Sequence, residues 1–267
     1  MDRQRDRYLR ALGLTAWQQR PQLIESQRPQ AIIPASATSD EPLQVSIIMP
    51  EPGTAAIKQE RVSPSIRTKL SLDVSELGWR ELAECVANCQ ACGLATSRTQ
   101  TVFGIGRQDA DLMVIGEAPG AEEDARGEPF VGRAGKLLDE MLVAMGLSRQ
   151  QVYIANILKC RPPNNRDPSP EEANACMGYL YRQMVLVKPK MILVVGRIAS
   201  QNLLGVTTPI GKLRGEIHRL HFAQGPAAGL PLVVTYHPAY LLRSPGEKAK
   251  AWQDLKLALT EIKKLGG

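Results

Sequence analysis

From about Leu77 onward the chain alternates short apolar runs with stretches of helical periodicity. The runs at 112–115, 152–154, 191–195 and 232–234 have strand length and are dominated by Leu, Ile, Val and Met. Such composition marks strands buried on both faces. Amphipathic stretches near 134–146, 170–187, 197–204 and 247–264 lie between or after them, and the spacing Leu77–Leu82–Val86 also reads as a helix. Strands separated by helices predict an α/β layer with a largely parallel sheet. Ligands bind such sheets beyond the carboxyl ends of the strands. That rule draws the eye to Glu117, Asn156 and His237, which sit at or just past the ends of three of the four runs.

Upstream the pattern breaks. Residues 21–75 carry seven prolines among Gln, Ser, Glu and Arg, and read as a linker in which only 43–49 resembles a strand. Residues 1–20 hold five arginines around Tyr8, Leu9, Leu12, Leu14 and Trp17. The expected organisation is therefore a partner-binding peptide at 1–20, a Pro-rich linker at 21–75 and a folded domain at 76–267.

Composition changes the picture in three ways. Only 4% of residues are Phe, Trp or Tyr, so Leu, Ile, Val and Ala must build the core. The net charge of +6 suits a polyanionic partner. Residues 1–10 are charged rather than apolar, and no run approaches the roughly 18 apolar residues of a membrane helix. A cytoplasmic protein without membrane contact is expected, and there five cysteines serve ligation or catalysis rather than disulfides.

Cys89 and Cys92 form a CxxC pair, Cys160 follows the second apolar run, and Cys176 lies further on. This four-thiolate set suits zinc or an iron–sulfur cluster, and spacing does not choose between them. Cys85, Cys89 and Cys92 also match the three-cysteine signature of radical S-adenosylmethionine enzymes. That chemistry sits in a loop after the first strand of a β/α barrel, whereas this triplet ends a helical pattern and precedes any clear strand. Cys85 is expected to be a spare buried thiol.

Three motifs stand at strand ends: Gly116-Glu117-Ala118-Pro119-Gly120, leading through Glu122-Glu123-Asp124 to Gly127-x2-Phe130-Val131-Gly132; Asn156-x3-Cys160-Arg161-Pro162-Pro163; and His237-Pro238-Ala239-Tyr240-Leu241-Leu242-Arg243. In this order, and with these cysteines, they resemble the iron–sulfur uracil-DNA glycosylases of the thermophile-type fourth family over about residues 82–259. Ala118 stands where that family often has Gly.

The resemblance implies a three-layer α/β/α sandwich with a central, mostly parallel four-stranded sheet, and a 4Fe–4S cluster on Cys89, Cys92, Cys160 and Cys176. It implies uracil-containing DNA as substrate, flipped out of the stack before its N-glycosidic bond is hydrolysed. Asn156 would read the pairing edge beside Ala118, and Phe130 would stack on the base. Glu117 would stabilise the sugar cation or orient water, His237 would bind the uracil anion, and Glu123 is a secondary acid. Leu241 or Leu242 would wedge into the gap left by the base, while Lys212, Arg214 and Arg243 would contact phosphates. A second reading keeps the scaffold but makes the protein a replisome accessory with little or no catalysis.

At the front end, Asp6 can cap a short helix carrying Leu9 and Leu12, with Gly13 closing it and Leu14 and Trp17 projecting beyond. So short a helix orders only on a partner. The segment resembles the N-terminal peptide of the bacterial clamp-loader psi subunit. That likeness implies docking on the clamp-loader ATPase subunits of DNA polymerase III, and hence a nucleoid-associated location.

Overall fold

The computed structural model describes residues 74–220, 227 and 229–265. The peptide expected at 1–20, with Leu9, Leu12, Leu14 and Trp17, lies outside these residues, as does nearly all of the linker expected at 21–75. The described chain runs α1 (Trp79–Ala87), β1 (Ile105–Gly106), β2 (Leu112–Gly116), α2 (Ala121–Arg126), α3 (Arg133–Ala144), β3 (Tyr153–Asn156) and α4 (Pro170–Val187). It continues through β4 (Met191–Val195), α5 (Arg197–Leu204), α6 (Ile210–Leu213), β5 (Ile217–Arg219), β6 (Pro231–Thr235), α7 (Pro238–Arg243) and α8 (Lys248–Leu265).

The strands form one sheet in the order β1-β3-β2-β4-β6-β5. The central four are mutually parallel, with Gly116 opposite Asn156 and Val195 opposite Thr235. Their residues are buried throughout because both faces are covered. Met113, Ile115, Ile192, Val194, Leu232 and Val234 pack with Leu180, Met184 and Val187 of α4 and with Ala199 and Leu203 of α5. The alternate residues Leu112, Val114, Met191, Leu193, Val195 and Val233 pack with Leu138, Met141 and Leu142 of α3 and with Ala251, Leu255 and Ala258 of α8. Period-two alternation thus splits one sheet between two helical layers, giving the expected α/β/α sandwich.

The strand count departs from expectation. Two further strands, β1 and β5, pair antiparallel at the two edges. Their two and three residues are only partly buried, too short and too polar to register as apolar runs. The longer helices fall within a few residues of the positions read from periodicity. Helix α4 shows why: Ser169 accepts from the Glu172 N–H, Glu172 answers at the Ser169 N–H, and Pro170 occupies the first turn. Among the described residues no helix is long and apolar enough to cross a membrane.

Arg214 corrects a sequence expectation. Rather than standing free for phosphate, its guanidinium grips Asp254 of α8, Nε to Oδ2 at 3.0 Å and Nη2 to Oδ1 at 2.8 Å. Asp254 has no exposed surface, and Thr235 at the end of β6 donates to it at 2.9 Å. The pair therefore fastens α8 beneath the strand that leads to His237. Breaking a buried pair strands a charge and costs about 3–5 kcal/mol. Arg214→Met should lose a large part of that in urea unfolding, and a loss under about 0.5 kcal/mol would mark the pair as a surface contact.

Candidate active site

Because β3, β2, β4 and β6 run parallel, their carboxyl ends share one edge of the sheet. The chain leaves that edge through Gly116-Glu117, Asn156, Gly196-Arg197 and Thr235-Tyr236-His237. The pairing of β2 with β3 continues past the strands: Ile157 N–H donates to Gly116 O and Leu158 N–H to Glu117 O, each at 3.0 Å. Glu117 and Asn156 are thereby fixed as neighbours by backbone alone.

Asn156 is 2% exposed, yet among the described residues its Oδ1 has no hydrogen-bond partner. An unpaired buried acceptor costs about 1–3 kcal/mol, so it marks a place where a donor belongs. A Cβ on Gly116 would collide with that Oδ1 and come within 2.6 Å of Phe130 Cζ. The bare glycine thus makes room for the Asn156 and Phe130 side chains to lie side by side. Phe130 is buried and holds φ at +56°, a costly conformation for a bulky residue. Its ring stacks on His237 with centroids 5.7 Å apart and planes at 28°.

Glu123 explains how Phe130 is held, and in doing so loses the acid role expected of it. Its carboxylate accepts from three backbone N–H groups: Gly120 at 3.0 Å, Val131 at 2.9 Å and Gly132 at 3.1 Å. The first belongs to the turn after Glu117 and the other two directly follow Phe130. Glu123 is a clamp between the two loops. Gly135 completes it, since a Cβ there would collide with the Phe130 carbonyl.

The two remaining titratable groups are driven apart by burial. Burial pushes the Glu117 carboxyl up to about 7; repulsion from Asp167 adds to this, and Arg197 opposes it. Asp167 and Arg197 are themselves paired at 2.7 Å. Burial pulls His237 down to about 4, helped by the Arg243 charge and opposed by Glu123. Its Nδ1 accepts from Ala239 N–H at 3.1 Å, capping α7, so in the neutral ring the proton sits on Nε2 as a donor.

Helix α7 separates the two leucines that sequence left as alternatives. Leu241 is 1% exposed and belongs to the core, whereas Leu242 is 37% exposed beside the equally prominent Tyr240. Leu241 is therefore no wedge. Lys212 and Arg243 are exposed. Ala118 is half-buried against the apolar cluster that contains the cysteines.

That cluster joins Leu82 and Val86 of α1 to Leu94, Leu158 and Tyr179. Cys89, Cys92, Cys160 and Cys176 line one recess of about 270 Å³, open mouth included, with Arg98, Lys159 and Tyr179 among its walls. Cys85 is not among the lining residues; it lies on α1, half-buried, 3.9 Å from the Tyr179 hydroxyl. Among the described residues no three Cys, His, Asp or Glu side chains converge as a single metal ion would need.

Sequence reasoning missed Asp167 and Arg197, and it passed over Lys159 and Gln183. Arg197 was findable, because it follows the end of β4 as Glu117 follows the end of β2. Lys159 lay inside a motif already noted, but burial of its ammonium has no sequence signal.

Residues 103–256 match a family model described as the Uracil DNA glycosylase superfamily. The type-4 uracil-DNA glycosylase of Archaeoglobus fulgidus is 42% identical over 175 residues, covering 64% of this chain and 86% of that protein. The type-4 uracil-DNA glycosylase of Thermotoga maritima is 41% identical over 189 residues, covering 69% and 95%. The type-5 uracil-DNA glycosylase of Thermus thermophilus is 31% identical over 209 residues, covering 72% and 91%. The chain belongs to the uracil-DNA glycosylase superfamily and, by its higher identity to those relatives, to the type-4 family within it.

The clamp on Phe130 can be read directly. In Glu123→Ala the amides of Gly120, Val131 and Gly132 lose their acceptor, so their hydrogen exchange should accelerate while that of the β2 amides does not. Unchanged exchange at Val131 and Gly132 would show that the loop does not depend on Glu123.

Proposed function

We propose that this protein excises uracil from DNA by hydrolysing its N-glycosidic bond, leaving free uracil and an abasic site. The unpartnered Oδ1 of buried Asn156 carries the reading. Uracil presents an N–H beside a carbonyl on its pairing edge, and an Asn amide meets that pair with Oδ1 accepting and Nδ2 donating. Cytosine reverses both groups. The type-4 relatives are named for this activity.

The rest of the edge suits the bond cleavage. As the bond from N1 to C1′ breaks, its electron pair goes to the base and positive character grows on the sugar. His237, neutral with Nε2–H available, donates to the uracil carbonyl oxygen that gathers the charge. A water attacks C1′ and gives its proton to Glu117, whose elevated range is that of a general base working near neutrality. Phe130 offers its face to the flipped base. Leu242, not Leu241, is the side chain available to fill the gap, and Lys212 and Arg243 face solvent where phosphates pass.

We further propose that Cys89, Cys92, Cys160 and Cys176 hold a 4Fe–4S cluster. The donor set fits: four thiols surround a recess rather than a point, as befits a group in which each thiolate takes its own iron. Bound there, it supplies a cross-link among α4, the loop after β3 and the segment after α1. Residues 1–20 are proposed to tether the enzyme to clamp-loader ATPase subunits in the bacterial cytoplasm, at the nucleoid. Their psi-like pattern supports this. A pull-down in which deletion of 1–20 leaves capture unchanged would refute it.

The activity is tested on a labelled uracil-containing oligonucleotide. Alkali-labile cleavage is expected from the wild type, with loss of about 10²-fold or more in Glu117→Ala and in Asn156→Ala. The wild-type rate should fall as pH drops through about 7, because Glu117 then takes up its proton. His237 adds no limb until near pH 4. No cleavage by wild-type protein would favour the accessory reading.

A further inference from the structure

Lys159 takes part in no step above, yet it is among the bulkiest fully buried side chains, at 1% exposure. Its Nζ donates to the backbone carbonyl of Asn156 at 2.8 Å and to Gln183 Oε1 at 2.7 Å. Both acceptors are neutral. Gln183 is anchored in turn, donating to Phe103 O at 2.8 Å and to the Tyr153 hydroxyl at 3.2 Å. At its other side Lys159 lines the cysteine recess, its own N–H 3.5 Å from Cys176 Sγ and its chain neighbour being Cys160. A buried ammonium is strongly unfavourable without a facing negative charge. Among the described residues no carboxylate hydrogen-bonds to it; a facing negative charge would come from the cluster proposed for the recess it lines. Arg98 supplies a second cation there, 3.2 Å from Cys160 Sγ, but bonds to no residue that borders Asn156.

We propose that Lys159 is a positioning residue that couples the cysteine-held cluster to base reading. Negative charge on the recess holds the Lys159 side chain, and Lys159 holds the Asn156 backbone and with it the aim of the Asn156 amide. The inference rests on the uracil-excision reading and on the cluster proposed above, so wild-type iron content and excision are measured first. Failure of either would sink those readings rather than this one.

The test compares holoprotein Lys159→Met with wild type in iron content, cluster reduction potential and single-turnover excision. Removal of a positive charge beside the cluster should shift the potential to more negative values. Loss of this outer support should slow single-turnover excision by about 10- to 100-fold. KM should move little, because phosphate contacts dominate DNA binding. A slowed rate with an unmoved potential, or a shifted potential with an intact rate, breaks the coupling and overturns the proposal. Should Lys159→Met fail to hold iron, Gln183→Glu leaves Lys159 in place and gives it a carboxylate partner. The same negative shift and the same slowing are expected, and the absence of either overturns the proposal.

Discussion

The strand-end site is built around the register of β2 against β3, which sets Gly116 directly opposite Asn156. A parallel pair with this register delivers a glycine and an amide to the same point on the sheet edge. Only glycine lets Asn156 and Phe130 pack this closely against β2, since even a Cβ collides with Asn156 Oδ1 and crowds the Phe130 ring. A shift of one residue would turn Asn156 to the opposite face of the sheet. The two flanking helical layers make that slip costly by burying alternate residues of every central strand.

Around this fixed point, burial acts in opposite directions on two titratable groups. It disfavours the charged form of each, so it raises Glu117 and lowers His237. The outcome is a carboxyl that titrates near neutrality and an imidazole that is neutral there. Such divergence supports the roles of base and hydrogen-bond donor proposed for them. Glu123 serves differently: three backbone donors occupy its carboxylate, and its charge is spent on holding the Phe130 loop.

Much of this was legible in the residues alone. The four buried strands announced themselves because both their faces are apolar, and the strand-end rule found Glu117, Asn156 and His237. The edge strands did not, since two or three half-buried or exposed residues such as Ile105–Gly106 leave no periodic trace. Roles that depend on what a long side chain reaches were also invisible. Nothing in the spacing shows that Arg214 meets Asp254 forty positions later, that Glu123 turns back to three amides, or that Leu241 faces inward while Leu242 faces out. The cysteines fall between these cases. Their spacing suggested one ligand set, and the shared recess now brings Cys89, Cys92, Cys160 and Cys176 together and leaves Cys85 outside it.

The central claim is that the unpartnered Asn156 Oδ1 awaits the N–H of uracil. A crystal structure of the protein soaked with free uracil tests it most directly. The account predicts the base against Phe130, its ring N–H donating to Asn156 Oδ1 and a carbonyl oxygen accepting from His237 Nε2. Uracil bound elsewhere, or bound at the strand ends with Asn156 Oδ1 still lacking a donor, would contradict it.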